Sequence, residues 1–375
     1  MRPTTSLPPG LARPALAGVE AYEPGRPVAD VRRELGVESV IRLSSNEGPF
    51  PPMPGAIAAI EAVAAGVRVY PDAGAWELRD AIAARTGLDA SQVLPGAGVD
   101  GLIRLLCLAL LDPGDELVMA WPSFLSWRIG LEVQGATGVY APLGPDGAYD
   151  LDALLERVTS RTKLAVVVSP NNPTGGAVSA AALTAFLDAL PGHVLPVVDE
   201  AYFEYLPQGA HDAARLVAEG RPLAATRTFS KAFGLAGLRV GYLMGPAELV
   251  RDLGIARNVF DVNSVAQAAA VASLAEADAL LPERVSLNAT ERETVVAGLR
   301  GLGLAPLPSE ANFILVDLGS PERALAVNAA LLARGVIVRP VRAFGAPSAL
   351  RVTIGFAEEN ARFLAAAAEA LAEVA

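Results

Sequence analysis

Among the 30 basic side chains of the sequence only two are lysines, Lys163 and Lys231, and every other cation is an arginine. Lys163 stands at the entry of the apolar run LAVVV, where an exposed cation needs no function. Lys231 lies in RTFSKAFGLAGLRVGY among small and apolar residues. Desolvation in such surroundings disfavours the ammonium, and guanidinium cannot imitate a neutral primary amine. An amine of that kind is the nucleophile of Schiff-base chemistry. Three further clusters precede it: PSF at 122–124, SPNNPTG at 169–175 and DEAY at 199–202, while Arg239 follows the TFSK of 228–231. Each alone has an ordinary explanation, as a loop aromatic, an Asn- and Pro-rich turn, a helix-capping carboxylate or a surface cation.

Together the clusters offer an amine for an imine, a carboxylate to keep a ring nitrogen protonated, an amide and a phenol for a ring oxygen, an aromatic face, and hydroxyls with an arginine for a phosphate. That inventory matches an aldehyde-bearing pyridine phosphate. The elements that must position it are apolar runs of strand length, ELVMAW, LAVVVS, VLPVVDEAYF, LAATRTFS and RVGYLMG, alternating with Ala- and Leu-rich helical stretches. Runs buried on both faces and separated by helices predict an α/β domain with a mostly parallel sheet, whose chemistry gathers at the carboxyl ends of the strands. After about Val250 long Ala-rich helices and two strand patterns, ANFILVDL and LRVTIGF, predict a smaller α+β domain. The expected division is 1–45 as an N-terminal arm or part of the small domain, 46–255 as the large domain and 256–375 as the small domain. The Pro-rich first forty residues are expected to lie across another part of the molecule or a partner subunit.

Residues 96–101 spell GAGVDG, a G-x-G-x-x-G string that would suggest a dinucleotide turn and a nicotinamide-dependent oxidoreductase. The context argues against that reading. The preceding strand has only Val93 and Leu94 before Pro95, and the second strand ends in Trp121-Pro122 with no acidic residue for a ribose. What remains is a Gly-rich turn opening a helix, which offers backbone N–H groups to a phosphate. A formal net charge of −11 with no basic cluster speaks against nucleic acid. It also leaves no basic helix-turn-helix domain for a regulator. Prolines interrupt the N-terminus before any apolar core of a signal peptide, the most apolar stretch, Leu102 to Leu111, carries Arg104, and the single Cys107 rules out an intrachain disulfide. The expectation is a cytoplasmic protein with no membrane span, no metal and a buried inert thiol.

TFSKAFGLAGLRVGY, PNNPTG and VVDEAY resemble the fold-type I pyridoxal-phosphate aminotransferases, and within them the histidinol-phosphate aminotransferases. AYEPGRP, RLSSNEGP, YPDAGAWELRDAI, SEANFIL, GVIVRP and ALRVTIG extend the resemblance over nearly the whole chain in order. The resemblance implies that Lys231 forms the imine with pyridoxal 5′-phosphate and moves the substrate proton, that Asp199 pairs with the ring nitrogen, that Asn172 and Tyr202 bond the ring oxygen, and that Phe124 stacks on the ring. It places the cofactor phosphate on the amides of Gly98, Val99 and Asp100, with Thr228, Ser230 and Arg239, and with Tyr70 reaching in from the other subunit of a homodimer. It assigns Arg351, assisted by Asn46, to the amino donor's carboxylate, and Tyr22 and Arg339 to the substrate phosphate or side chain, although a structural salt bridge remains open for either arginine. Gly48, Ala97, Val99 and Arg342 depart from the usual pattern. The implied reaction exchanges an amino group between glutamate/2-oxoglutarate and a phosphorylated imidazole substrate. An aromatic amino acid aminotransferase or a threonine-phosphate decarboxylase-like enzyme has a similar scaffold.

Overall fold

The computed structural model describes residues 10–21, 25–37 and 39–374. Its centre is a sheet of seven strands: β1 (Val93–Gly96), β2 (Glu116–Ala120), β3 (Thr137–Ala141), β4 (Thr162–Val168), β5 (Leu195–Asp199), β6 (Ala224–Thr228) and β7 (Gly241–Met244), in the order β1-β7-β6-β5-β4-β2-β3. From β3 to β6 all pairings are parallel, and β7 alone runs against its neighbours β6 and β1. The strands β2 and β6 are buried at every position, as a sheet covered on both faces requires. The expected weakness of the strand before GAGVDG has its counterpart here. Pro95 sits in β1, at the sheet edge, where a residue without an N–H does least harm.

Helices α1 (Gly98–Leu110) and α2 (Leu125–Gln134) cover the sheet, with Leu102, Ile103, Leu106 and Cys107 of α1 and Trp127 and Leu131 of α2 fully buried. Burial pushes the Cys107 thiol up to about 12, which keeps it protonated and inert. Lys163 is the one exposed position of β4. The turn Pro14–Gly18 packs on α2, and Arg13 donates to the carbonyl of Gln134 at 3.3 Å, so this part of the N-terminal segment does lie across the large domain.

A second core gathers around a three-stranded antiparallel sheet, β8 (Phe313–Asp317), β9 (Arg339–Val341) and β10 (Ala346–Thr353), in the order β9-β10-β8. Leu43 belongs to this core, because Ile41–Arg42 pairs with Val336–Ile337. The long helix α3 (Ser264–Gly301) serves both cores: Ala266, Ala269, Ala270, Ala277 and Leu281 pack with the large sheet, Val295 and Leu299 with the small one. The helix begins after the expected boundary at residue 255, and its two halves join different cores. By length and composition α3 is also long and apolar enough to cross a membrane. Its Ala-rich face is instead spent on packing, since small side chains let a helix approach a core closely.

Leu106 is fully buried in the middle of α1, the helix whose first turn faces the site. Leu106→Ala should cost about 2–5 kcal/mol. A denaturant titration checks this through a lower midpoint at unchanged slope, and an unchanged midpoint would contradict the packing described.

Candidate active site

Asp199 ends β5 and is 1% exposed. Its Oδ2 accepts from the indole N–H of Trp127 at 2.9 Å and its Oδ1 from the backbone of Ala201 at 3.3 Å. Burial dominates these bonds and pushes the carboxyl up to about 6. A cationic N–H in the adjoining cavity would compensate that cost. The next residue, Glu200, is fully buried and accepts from Arg227 Nε at 2.9 Å, which ties the end of β5 to β6.

Lys231 follows β6 through a tight turn in which Thr228 Oγ1 accepts from the backbone N–H of Ser230 at 3.1 Å and donates to Ser230 Oγ at 2.9 Å. The ammonium donates to the carbonyl of Ser45 at 3.3 Å and lies 5.7 Å from the centre of the Tyr202 ring. Burial first, and the charge of Arg351 second, lower this amine to about 8. Gly48 packs on the same turn: a Cβ there would stand 2.9 Å from the Lys231 carbonyl oxygen. Any larger residue would force the turn to shift, which gives the departure at 48 a steric cause.

At the other end of the cavity α1 begins. Gly98 has φ +74°, and a Cβ on it would fall 2.7 Å from Arg239 Nη2. Glycine thus lets the guanidinium close over the helix start, beside the unpaired N–H groups of the first turn. Arg239 donates through Nη1 to the Ala236 carbonyl at 3.0 Å and lies 3.5 Å from Asp100 Oδ2, while Ser126 Oγ fixes Asp100 Oδ1 at 2.5 Å. Arg239, Thr228, Ser230 and the α1 amides together make a cradle for a phosphate.

Arg351 enters from β10 and is 3% exposed. It donates through Nη1 to Asn172 Oδ1 at 2.5 Å and through Nη2 to the Ser44 carbonyl at 2.8 Å. Because guanidinium only donates, the amide of Asn172 is oriented with its NH₂ away from Arg351. Asn46, with φ +53°, donates from Nδ2 to the Tyr202 hydroxyl at 2.8 Å and accepts from Thr353 Oγ1 at 3.2 Å. It thereby orients Tyr202.

These groups line one cavity of about 450 Å³, to which Asn46, Val99, Asp100, Phe124, Asn172, Asp199, Tyr202, Thr228, Ser230, Lys231, Arg239 and Arg351 all contribute. Among the described residues named from the sequence, Gly98, Tyr70 and Arg339 do not. Tyr70 is 78% exposed and stacks on Phe260 at 4.4 Å between centroids. Arg339 sits opposite Arg351 across β9 and β10 outside the lining, and Tyr22 lies outside the described residues. Arg342 is exposed. Sequence reasoning missed Trp127 and the Ser44 and Ser45 carbonyls. A buried tryptophan must place its N–H on an acceptor, but nothing in the string PSFLSW tells which. Among the described residues no cluster of His, Cys, Asp and Glu could hold a metal.

A lowered lysine, a raised carboxyl and an anion cradle in one cavity, at the carboxyl ends of a mostly parallel sheet, define a fold-type I enzyme built around an amine nucleophile. The chain belongs to the aminotransferase class I and II family, whose model matches residues 38–367, and it is an aminotransferase. It is 40% identical over 362 residues to histidinol-phosphate aminotransferase 2 of Methylococcus capsulatus, covering 95% of this chain and 97% of that one. It is 41% identical over 358 residues to the histidinol-phosphate aminotransferase of an Anaeromyxobacter species, with 95% and 98% covered. Among solved structures it is similar to the Sinorhizobium meliloti histidinol-phosphate aminotransferase in complex with pyridoxal-5′-phosphate, with TM-score 0.88, 28% identity, and 98% and 99% of the two chains covered.

The two titrating groups give two tests. Between its ordinary value of 3.8 and about 6, the carboxyl of Asp199 binds a proton in the folded chain and not in the unfolded one. This contribution to apoprotein stability is therefore full at low pH and lost as pH rises through about 6. Asp199→Asn should flatten that part of the stability profile, measured by denaturant midpoints from pH 4 to 7. Arg351→Ala should move Lys231 up from about 8 towards 10.5, because the nearby positive charge is gone. The pH dependence of its reaction with an amine-directed reagent, in a Lys163→Arg background, reads this directly.

Proposed function

We propose that this chain transfers the amino group between L-histidinol phosphate and 2-oxoglutarate, giving imidazole-acetol phosphate and L-glutamate, with pyridoxal 5′-phosphate as cofactor. The observation that carries the reading is the meeting of Lys231, Asp199 and Arg351 in one cavity, in a chain that matches relatives named for this reaction over more than nine-tenths of its length. The cavity fits the cofactor in chemistry: an acidic floor, a cationic phosphate cradle, and the Phe124 face and the Asn172 amide between them. When bound, pyridoxal phosphate supplies an electrophilic carbonyl carbon and a protonated ring that takes up the electron pair left at the substrate's Cα.

The side chains do the rest. Asp199, paired with the ring N–H, gains a partner that returns it to the ionised state. Asn172 offers its NH₂ and Tyr202 its hydroxyl to the ring oxygen, and Arg351 fixes the first while Asn46 fixes the second. Lys231, near neutrality by burial, takes the proton from Cα and returns it, with the Ser45 carbonyl as an acceptor that orients its Nζ. Arg351 grips the carboxylate of glutamate or 2-oxoglutarate. We place Arg339 and Tyr22 at the far end of the substrate.

Our reading includes a cytoplasmic homodimer in which Tyr70 serves the neighbouring site. The exposed stack of Tyr70 on Phe260, with Val67, Val69 and Val259 exposed nearby in sequence, supports an apolar face that a second copy covers.

Absorbance of the purified protein with pyridoxal phosphate tests the function. A near-visible band that bleaches with both glutamate and histidinol phosphate is expected. Bleaching by glutamate alone would retain the aminotransferase and transfer the second substrate to an aromatic or other acceptor. Lys231→Ala should remain folded and lose at least about a thousandfold in turnover, the scale expected when a general acid–base and its nucleophile are removed together. Turnover within tenfold of the parent would refute its role.

A further inference from the structure

The alanine-rich helix α3 carries an arginine, Arg284, that is only 8% exposed. A buried guanidinium is costly unless its N–H groups meet acceptors. Those of Arg284 meet two backbone carbonyls: Nη1 donates to Ala232 at 3.0 Å and Nη2 to Pro51 at 2.9 Å. Its central carbon lies 5.0 Å from the centre of the Phe50 ring, and Phe50 meets Phe356 edge-on at 5.3 Å. A planar fork holds two acceptors at a set separation, which a flexible ammonium does not.

The two carbonyls belong to two segments that meet at the amine. Ala232 directly follows Lys231, and the stretch 45–51 begins with Ser45, Asn46 and Glu47, which line the cavity, and ends at Pro51. Lys231 Nζ donates to the Ser45 carbonyl at 3.3 Å. A Cβ on Gly48 would stand 2.9 Å from the Lys231 carbonyl oxygen, and a Cβ on Gly234, where φ is +76°, would stand 3.1 Å from the carbonyl oxygens of Phe50 and Pro51. The lysine's turn closes on itself, with the Gly234 N–H on the Lys231 carbonyl and the Leu235 N–H on the Phe229 carbonyl, both at 3.0 Å. Among the described residues no backbone-to-backbone hydrogen bond joins this turn to the stretch 45–51. Glycines allow the close approach, and the fork of Arg284 supplies the tie.

We propose that Arg284 is a positioning residue for Lys231: its fork joins the lysine's turn to the stretch 45–51 and keeps the amine aimed at the Ser45 carbonyl inside the cavity. The inference rests on the reading of Lys231 as the reacting amine. Arg284 lies outside the cavity lining and acts only through the two carbonyls.

The test uses the full chain. Arg284→Met keeps an apolar stem on Phe50 and removes every donor, while Arg284→Gln keeps one NH₂ group. The charges that face the amine, those of Arg351, Glu47, Asp100 and Arg239, stay in place in both. In the cofactor-loaded protein, hydrogen exchange of a peptide covering 231–235 should quicken at least about tenfold in Arg284→Met, because the turn opens locally. In the cofactor-free protein with a Lys163→Arg background, the pH midpoint for reaction of Lys231 with an amine-directed reagent should move from about 8 to about 9, as water reaches the amine. Turnover should show kcat lowered about tenfold or more, with KM for glutamate within about twofold of the parent, since the amine is misplaced and no substrate contact is lost. Arg284→Gln should fall between, and it carries the same readouts if Arg284→Met does not accumulate folded. Leu183→Ala, fully buried in the helix Ala180–Ala189, should lower the denaturant midpoint and leave exchange at 231–235 and the lysine midpoint as in the parent. Unchanged exchange with a moved midpoint would mark the lost charge alone, and equal effects from Leu183→Ala would mark general loosening; either overturns the proposal, as does a variant that matches the parent throughout. Retained turnover in Lys231→Ala, beside faster exchange in Arg284→Met, would refute the reading of Lys231 and leave the tie standing.

Discussion

The structure depends on keeping one amine and one carboxyl out of water in the same cavity. Lys231 is lowered to about 8 and Asp199 raised to about 6, and in both cases burial is the largest cause. Such groups are costly to fold around, and they persist only where the surrounding backbone over-determines their positions. The sheet provides that. Asp199 is the last residue of β5, Thr228 the last of β6, and the buried Glu200–Arg227 pair ties those two ends together. The reversal of β7 then brings Arg239, two residues before its start, back to the same edge, where Gly98 leaves space for the guanidinium.

A second constraint is that the cavity belongs to neither domain alone. The large domain contributes the lysine, the carboxyl floor and the phosphate cradle, and β10 contributes Arg351. The contacts across the division are short and polar at Asn172 and Asn46, and apolar at the Phe344 cluster. Phe313 belongs to both: it starts β8 of the small sheet, packs in the large core, and meets the Tyr202 ring edge-on at 5.1 Å. The long helix α3 stiffens this arrangement because its two halves are built into different cores.

What the sequence disclosed was local. Alternating apolar runs and helical stretches gave the α/β class, and TFSK, DEAY and PNNPTG each lie at a strand end, so a few adjacent residues identified the lysine, the carboxylate and the amide. Pro95 marked its strand as unsuited to the middle of a sheet, and β1 lies at the edge. What escaped was long-range. The donor to Asp199 is 72 residues away in Trp127, and the donor to Tyr202 is 156 residues away in Asn46, and no periodicity links such pairs. The direction of β7 and the two cores served by α3 escaped for the same reason. An apolar strand reads alike in either direction, and an alanine face does not state which core it joins.

The polar network shows how a distant residue can determine a donor at the cofactor site. Guanidinium has no acceptor, so its contact with Asn172 admits only the amide oxygen, and the NH₂ must turn elsewhere. Ser44, through its carbonyl, holds the other arm of the same fork, while the next residue, Ser45, accepts from Lys231 with its own carbonyl. Two adjacent peptide groups thus fix the Arg351 guanidinium and the amine. A shift of this segment would move both together, which accounts for its tight anchoring: the following Asn46 takes a left-handed backbone conformation, its N–H bonds to Thr353 Oγ1 at 2.9 Å, and its carbonyl accepts from Asn312 at 3.1 Å. Asparagine tolerates that conformation better than most residues because its side chain can bond locally. Here the same side chain also orients Tyr202, while the two residues before it hold the arginine and the lysine through their carbonyls.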